Sequence, residues 1–344
     1  MIRTCRTSTA TISNLASWKF YSPRLSSHPF IPGTEFPTFP CFSFLVHNRS
    51  QDRTVVFDLA IRKDWWNLAP HLVRSLKDDD VRIAVEKDVQ EILAEGGVDT
   101  AAVEAVIWSH PHFDHMGDPS TFPKSTALVV GTGAREASAY GAMLESDVAG
   151  REVREVNFTA GTGTVRIGRF DAVDYFGDGS FYLLDTKGHT AGHMGALARV
   201  TSEPDSFILL GGDATHHVGE LRPSSYVPLP ERVCPDRLTG EKGGGRETGS
   251  FEKLLADGDR TGAFYEPAVM PGGHCVHHSV EQAKETISKI QEFDAADNIM
   301  VMMAHDASLL DVVDFFPKQV DDFMSKGWKE KARWRFLKDF AEAI

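Results

Sequence analysis

Six consecutive residues, His110-Pro111-His112-Phe113-Asp114-His115, follow directly on the apolar run 105–108 and place four metal-ligating side chains within one turn. Imidazole nitrogen and carboxylate oxygen suit zinc and its first-row neighbours, and the lack of a nearby cysteine argues against a thiolate cage. In an extended segment, alternate side chains point the same way, so His110 and His112 can hold one ion together. Asp114 and His115, beyond the turn, then reach a second. A chance cluster of histidines would explain an isolated His-x-His; it explains four ligands in six residues poorly.

A closed site needs more donors than this turn supplies, and three later segments offer them, each an apolar run ending in a ligand. Residues 180–185 (Ser-Phe-Tyr-Leu-Leu-Asp) lead into Thr186-Lys187-Gly188-His189-Thr190-Ala191-Gly192-His193. Residues 206–210 (Ser-Phe-Ile-Leu-Leu) lead into Gly211-Gly212-Asp213, and residues 298–304 lead into His305-Asp306. Glycines around His189 and before Asp213 let the backbone turn sharply and approach an ion closely. Any one of these three could be an ordinary strand-end residue; together with the first turn they form a ligand set.

The order His-x-His-x-Asp-His, Gly-His-Thr-x-Gly-His, Gly-Asp, then a strand ending in His resembles the metallo-β-lactamase superfamily. Within it, the pattern is most similar to the dinuclear lactone hydrolases typified by quorum-quenching acyl-homoserine lactonases. The resemblance extends over nearly the whole chain as a series of motifs. It implies an αββα sandwich of two mixed β-sheets flanked by helices, with the metals at one rim. Carried over by position, it implies His110, His112 and His189 on one metal, Asp114, His115 and His305 on the other, and Asp213 bridging them. Two features depart from the family pattern. Where many lactonases carry a tyrosine three residues after the bridging aspartate, this chain has His216, followed by His217. The interval from Asp213 to His305, about ninety residues, is also long, which places substrate recognition in the excess.

Composition sets limits on partners. A formal charge of -13 disfavours a nucleic-acid footprint, which needs a basic face. The cysteines Cys5, Cys41, Cys234 and Cys275 are widely spaced, with no Cys-x-x-Cys, so neither a redox motif nor a disulfide framework is expected. No apolar run approaches the roughly 20 residues that span a bilayer, so no membrane segment is expected. The expected compartment is a reducing cytosol. The alternative is mitochondrial: Arg3, Arg6, Lys19 and Arg24 precede the first acid, Glu35, as in a transit peptide. Against this, residues 8–18 are rich in β-formers and read as a first strand.

Strands and helices alternate without a break in composition, giving a single domain over 1–344. Residues 41–47 and 54–59 read as a hairpin whose second strand ends in Asp58. Asp88 and Glu91, with Gly96-Gly97 beyond, mark the start and stop of a short helix. Ser279 and Gln282 make a capping-box pattern, with Val280, Ala283, Ile287 and Ile290 on one face of the helix that leads to His305. A C-terminal stripe, Trp334, Leu337, Phe340, Ala341 and Ile344, reads as core packing. Residues 216–278 interrupt the pattern with Pro, Gly and charge and are expected to form a lid or substrate insertion. Arg222, Tyr226, Tyr265 and His274 are its candidate substrate contacts. His277 and His278, beside the helix start, are not taken as ligands. Phe36, Phe39, Phe42 and Phe113 suggest an apolar element near the site.

The expected chemistry is opening of a lactone ring in a small-molecule substrate by a hydroxide shared between two divalent ions. Zinc is the first expectation, and manganese, iron or cobalt also suit such donors. Asp114 is the expected catalytic proton carrier and His216 a second donor. The same centre could open a lactam or cyclic carbamate, or cleave a thioester as glyoxalase II does. A mononuclear iron persulfide dioxygenase would differ in taking up one iron and consuming oxygen. A non-enzymatic scaffold would be expected to have lost ligands, yet all seven positions are filled.

Overall fold

The structure, a computed structural model, describes residues 8–19, 29, 31–34, 39–78, 81–137, 143–159, 161, 163–236, 238, 244–267 and 277–344. Cys5, Arg3, Arg6, Arg24, Phe36, His274 and Cys275 lie outside them.

The first sheet contains β1 (Ser8–Lys19), β2 (Phe39–Asn48), β3 (Arg53–Phe57), β4 (Arg82–Val85), β5 (Val103–Ile107), β6 (Ala127–Gly131) and β7 (Val153–Val156), in the order β4-β1-β2-β3-β5-β6-β7. Its β1, β2 and β3 pair antiparallel, whereas β3, β5, β6 and β7 run parallel. The second sheet contains β8 (Thr164–Ile167), β9 (Phe170–Asp174), β10 (Phe181–Asp185), β11 (Met194–Ser202), β12 (Asp205–Leu210) and, beyond a small ribbon of β13 (Arg232–Val233) and β14 (Arg246–Glu247), β15 (Ile299–Met302). Its order is β15-β12-β11-β10-β9-β8, antiparallel except for the parallel pair of β12 and β15.

Strand alternation assembles the layers. One set of alternate positions, including Phe44, Val55, Phe57, Ile107 and Val129 from the first sheet and Phe181, Leu183, Ile208, Leu210 and Met302 from the second, fills a single core between the sheets. The opposite positions, Leu45, Val56, Val106, Leu128 and Val130, pack outward against Val89 and Leu93 of the helix Val89–Glu95. On the other side Leu184, Leu209 and Val301 meet Ile287, Ile290 and Phe293 of the helix Val280–Ala295. Both outer faces are thus covered by helices, and the αββα expectation holds.

The local signals at the helix starts hold too. Glu91 accepts a hydrogen bond from the Asp88 backbone N at 2.9 Å, and Ser279 accepts one from Gln282 N at 3.3 Å. The C-terminal stripe differs from expectation. Residues Arg335–Ala343 form a 3-10 helix, so Trp334, Leu337 and Phe340 fall in register and are buried while Ala341 and Ile344 rotate outward.

The described part of the 216–278 insertion has its own apolar cluster. Val218, Leu229, Phe251, Phe264 and Tyr265 pack against Phe336, Leu337 and Phe340 of the C-terminal segment. Two proposed substrate contacts are consequently corrected. Tyr265 is buried in this cluster, and Arg222 is buried in a two-pronged pair with Asp294, Nε to Oδ2 at 2.8 Å and Nη2 to Oδ1 at 2.6 Å. Arg222 also donates to the Arg333 carbonyl at 3.1 Å, fastening the insertion to both the long helix and the C-terminal segment. Tyr226 is exposed. No helix among the described residues is long and apolar enough to cross a membrane.

Removing one partner of a buried pair leaves an uncompensated charge, at a cost of roughly 3–5 kcal/mol. Asp294→Ala should therefore lower the unfolding free energy by about that amount in urea denaturation. A loss below about 1 kcal/mol would show that Arg222 finds water or another acceptor.

Candidate metal centre

Strand direction gathers the candidate residues at one rim. β12 and β15 run parallel, and the single strand between β10 and β12, β11, is antiparallel to both, so all three point the same way. His189, Asp213 and His305 lie just past their C-terminal ends. From the first sheet, β5 delivers His110 and His112, and a single helical turn, Phe113–Met116, carries Asp114 and His115. The rim is cross-tied by backbone bonds from Met194 N to Ser109 O at 2.9 Å and from Phe42 N to Ala304 O at 3.1 Å.

The seven residues form two groups that share one member: His110, His112, His189 and Asp213, then Asp114, His115, His305 and Asp213. The Asp213 carboxylate divides between them. Its Oδ2 lies 3.8 Å from His110 Nε2 and 3.6 Å from His189 Nε2, while Oδ1 lies 3.1 Å from both His115 Nε2 and His305 Nε2. His189 Nε2 stands 3.2 Å from His110 Nε2 and 3.0 Å from His112 Nδ1. Nitrogens sharing one tetrahedral zinc at about 2.0–2.1 Å would be about 3.3 Å apart.

Outer hydrogen bonds decide which nitrogen of His115, His305 and His110 faces inward. His115 Nδ1 donates to Asp58 Oδ2 at 2.9 Å, and His305 Nδ1 donates to the Pro40 carbonyl at 2.8 Å. Ser109 Oγ, itself 2.8 Å from Asp58 Oδ2, lies 3.0 Å from His110 Nδ1 and can accept its proton. Each inward Nε2 then carries a lone pair. His115 Nε2 and Asp213 Oδ1 are buried and make no hydrogen bond. Lone pairs converging on two buried carboxylates, Asp114 and Asp213, call for positive charge, so the donor set fits metal cations. Without a cation, two of the rings meet that need with protons and two do not. Burial holds His110 and His189 well below the usual imidazole range. Burial opposes charge on His115 and His305 as well, but Asp213 and its neighbours hold both well above that range.

Sequence reasoning missed several residues that hold this set in place. Asp58 accepts from Ser109 N at 2.6 Å as well as from His115, and it adopts a left-handed φ of 59° directly after β3. Its position at a strand end was visible; its partners, 51 and 57 residues away, were not. His193 donates through Nδ1 to the Thr186 carbonyl at 2.7 Å and accepts the Asp213 amide at Nε2, 3.0 Å away. It orients the backbone of Asp213, and burial pushes its pKa down to about 4. Gly212, at φ 52°, has no room for a side chain: a Cβ there would stand 2.9 Å from His193 Nε2.

His216 is brought into the site, its Nε2 3.5 Å from Asp213 Oδ2. Its backbone N, like that of His217, donates to Glu220 Oε1, at 3.2 and 3.3 Å, and burial pushes the Glu220 carboxyl up to about 7. His277 also joins the rim, its ring centroid 5.1 Å from that of His216, and burial pushes it down to about 3. Next to His305 lies a cavity of about 140 Å³ whose walls include Phe39, His217, Asp306, Phe336 and Asp339. Phe39 stands edge-on to His305 at 6.2 Å, bearing out part of the expected apolar element.

Comparison with known proteins gives this centre its context. Over 325 residues the chain is 42% identical to gamma-lactamase FDB1 of Fusarium pseudograminearum (strain CS3096), covering 91% of this chain and 77% of that protein. It is 41% identical over 334 residues to cytochrome P450 monooxygenase mpaDE' of Penicillium brevicompactum, covering 94% of this chain but only 36% of that longer protein. A solved N-acyl homoserine lactone hydrolase, with N-hexanoyl-L-homoserine at its catalytic metal centre, shares the fold at a TM-score of 0.56 and 14% identity, covering 92% of this chain and 99% of that one. The family model of the metallo-beta-lactamase superfamily matches residues 37–274, a span that includes six of the seven candidate ligands, all but His305. A two-sheet sandwich with this ordered set of strand-end histidines and aspartates is therefore no isolated likeness, and the chain belongs to the metallo-β-lactamase superfamily.

Proposed function

We propose that this metal-dependent hydrolase is dinuclear and opens the ring of a small cyclic acyl compound, a lactone in the first reading. The observation carrying the proposal is the division of the Asp213 carboxylate between two donor groups. His110, His112 and His189 would hold one ion, Asp114, His115 and His305 the other, with Asp213 between them. The donors are nitrogen and oxygen only, which suits zinc first and manganese, iron or cobalt next. When bound, the ions polarise the ring carbonyl and make hydroxide available near neutral pH.

The remaining steps fall to the chain itself. Asp114, buried within the second group with an oxygen 3.4 Å from His305 Nε2, would orient the attacking water and pass its proton to the ring's leaving atom. His216, in the place of the lactonase tyrosine, steadies the substrate oxygen and is a second proton donor. Phe39 and Phe336 give the cavity beside His305 part of its apolar wall. We take residues 1–344 as one hydrolase domain in which the 216–278 insertion forms a wall of that cavity through His217 and Val218. A γ-lactam is the second reading, favoured by the identity to gamma-lactamase FDB1. The two readings part at the leaving atom: an alkoxide departs readily, whereas an amide nitrogen must be protonated first, which puts more demand on Asp114 and His216.

Elemental analysis should find two equivalents of metal, with chelator-sensitive opening of a γ-lactone or γ-lactam in a panel that also contains cyclic carbamates and thioesters. One iron per chain, or activity on thioesters alone, would sink the proposal. Asp114→Asn should lower kcat by roughly 10²–10⁴-fold with the metal content kept; loss of metal with activity would reduce Asp114 to a ligand. Asp58→Asn, which removes the acceptor that fixes His115, should weaken metal retention about 10–100-fold in chelator competition. Unchanged retention would show that Ser109 and the turn alone orient His115.

A further inference from the structure

The rim holds a third histidine group that neither donor set above accounts for. His189, His216 and His277 offer ring nitrogens within 4.8 Å of one another. Their ring centroids lie 4.8 Å (His189 to His216), 5.1 Å (His216 to His277) and 5.4 Å (His189 to His277) apart, all three rings being largely buried. Sequence separation gives no hint of this grouping; the backbone creates it. His278 N donates to the His189 carbonyl at 2.8 Å and Ser279 N to the Gly188 carbonyl at 2.9 Å, so the start of the long helix is clamped onto the His189 loop. The clamp needs glycine at 188, where φ is +132° and a Cβ would stand 2.3 Å from Ala283 N. Thr286 adds a bond from its Oγ1 to the Lys187 carbonyl at 2.7 Å.

Buried imidazole nitrogens ordinarily find partners. Here His189 Nδ1 and His216 Nδ1 are buried and make no hydrogen bond. His189 uses Nε2 toward His110 and His112, which leaves one donor position on the ring.

We propose that His189, His216 and His277 form an additional seat for a borderline divalent cation, adjoining the first donor group and sharing His189 with it. The inference rests on the dinuclear reading above. With nitrogen donors and no carboxylate of its own, the seat selects zinc, cobalt, nickel or copper over magnesium, calcium or manganese. Three protein ligands leave an open position. Two cations close by make the seat weaker than either main site, so it fills only when metal is in excess. Binding displaces any proton held by the nitrogens used. A cation there withdraws His216 from the substrate, so excess zinc inhibits.

The test is titration of the metal-free full-length protein with cobalt(II), followed by visible absorption, with metal counted after dialysis against fixed free cobalt. His277→Phe and His277→Asn are titrated alongside, their folding checked by circular dichroism. The wild type should take up two equivalents tightly and a third more weakly, and either variant that folds should stop at two. Excess zinc should then inhibit the wild type and spare the variant. A wild type that saturates at two, or a third equivalent that persists without His277, overturns the additional seat and leaves the dinuclear reading standing. Fewer than two equivalents in the wild type would bring down both.

Discussion

The arrangement of the rim depends on one buried carboxylate. Asp213 presents its two oxygens to different imidazoles, and the outward nitrogens of His115, His305 and His110 are already committed to Asp58, Pro40 and Ser109. Two buried acids facing one another call for positive charge, which protonated His115 and His305 supply in part and a cation can supply in their place. The sandwich holds these groups together because its ends are tied elsewhere. Strand tips from both sheets are joined by backbone hydrogen bonds, and the inter-sheet core lies directly beneath.

Much of this could be read from the sequence because each ligand follows an apolar run. β5, β10, β12 and β15 all lie within a residue or two of where residues 105–108, 180–185, 206–210 and 298–304 suggested, and each delivers its ligand past the C-terminal end. The pairing of Asp114 with His305 and of His189 with His110 followed from the family pattern rather than from local signals. Asp58, His193 and Glu220 could not have been assigned roles, since their contacts depend on register and on loop paths that alternation does not specify. His277 was set aside because His305 matches the strand-end context better; the signal it had was the helix cap two residues later, which fixes where the chain turns back toward His189.

The insertion shows a different limit. A run rich in Pro, Gly and charge reads as exposed, so Arg222 and Tyr265 looked like substrate contacts. Tyr265 is buried by the C-terminal segment, more than seventy residues further on, which supplies Phe336, Leu337 and Phe340 as the other half of the cluster. Arg222 is charged and yet interior because Asp294 meets it in the planar two-bond geometry that guanidinium favours. The last turn winds with three residues per turn, and that tighter winding puts Trp334, Leu337 and Phe340 on one line.

The bond from the Asp213 amide to His193 has a consequence for how the centre is filled. Because the main chain at Asp213 is held by a neutral ring that is itself held by Thr186, the carboxylate is in position before any ligand arrives. The entropy of ordering that loop is spent during folding, and none of it is subtracted from the affinity of the ligand. The rim is then a preformed receptor: whatever binds there meets a carboxylate already placed, not a loop that must refold around it.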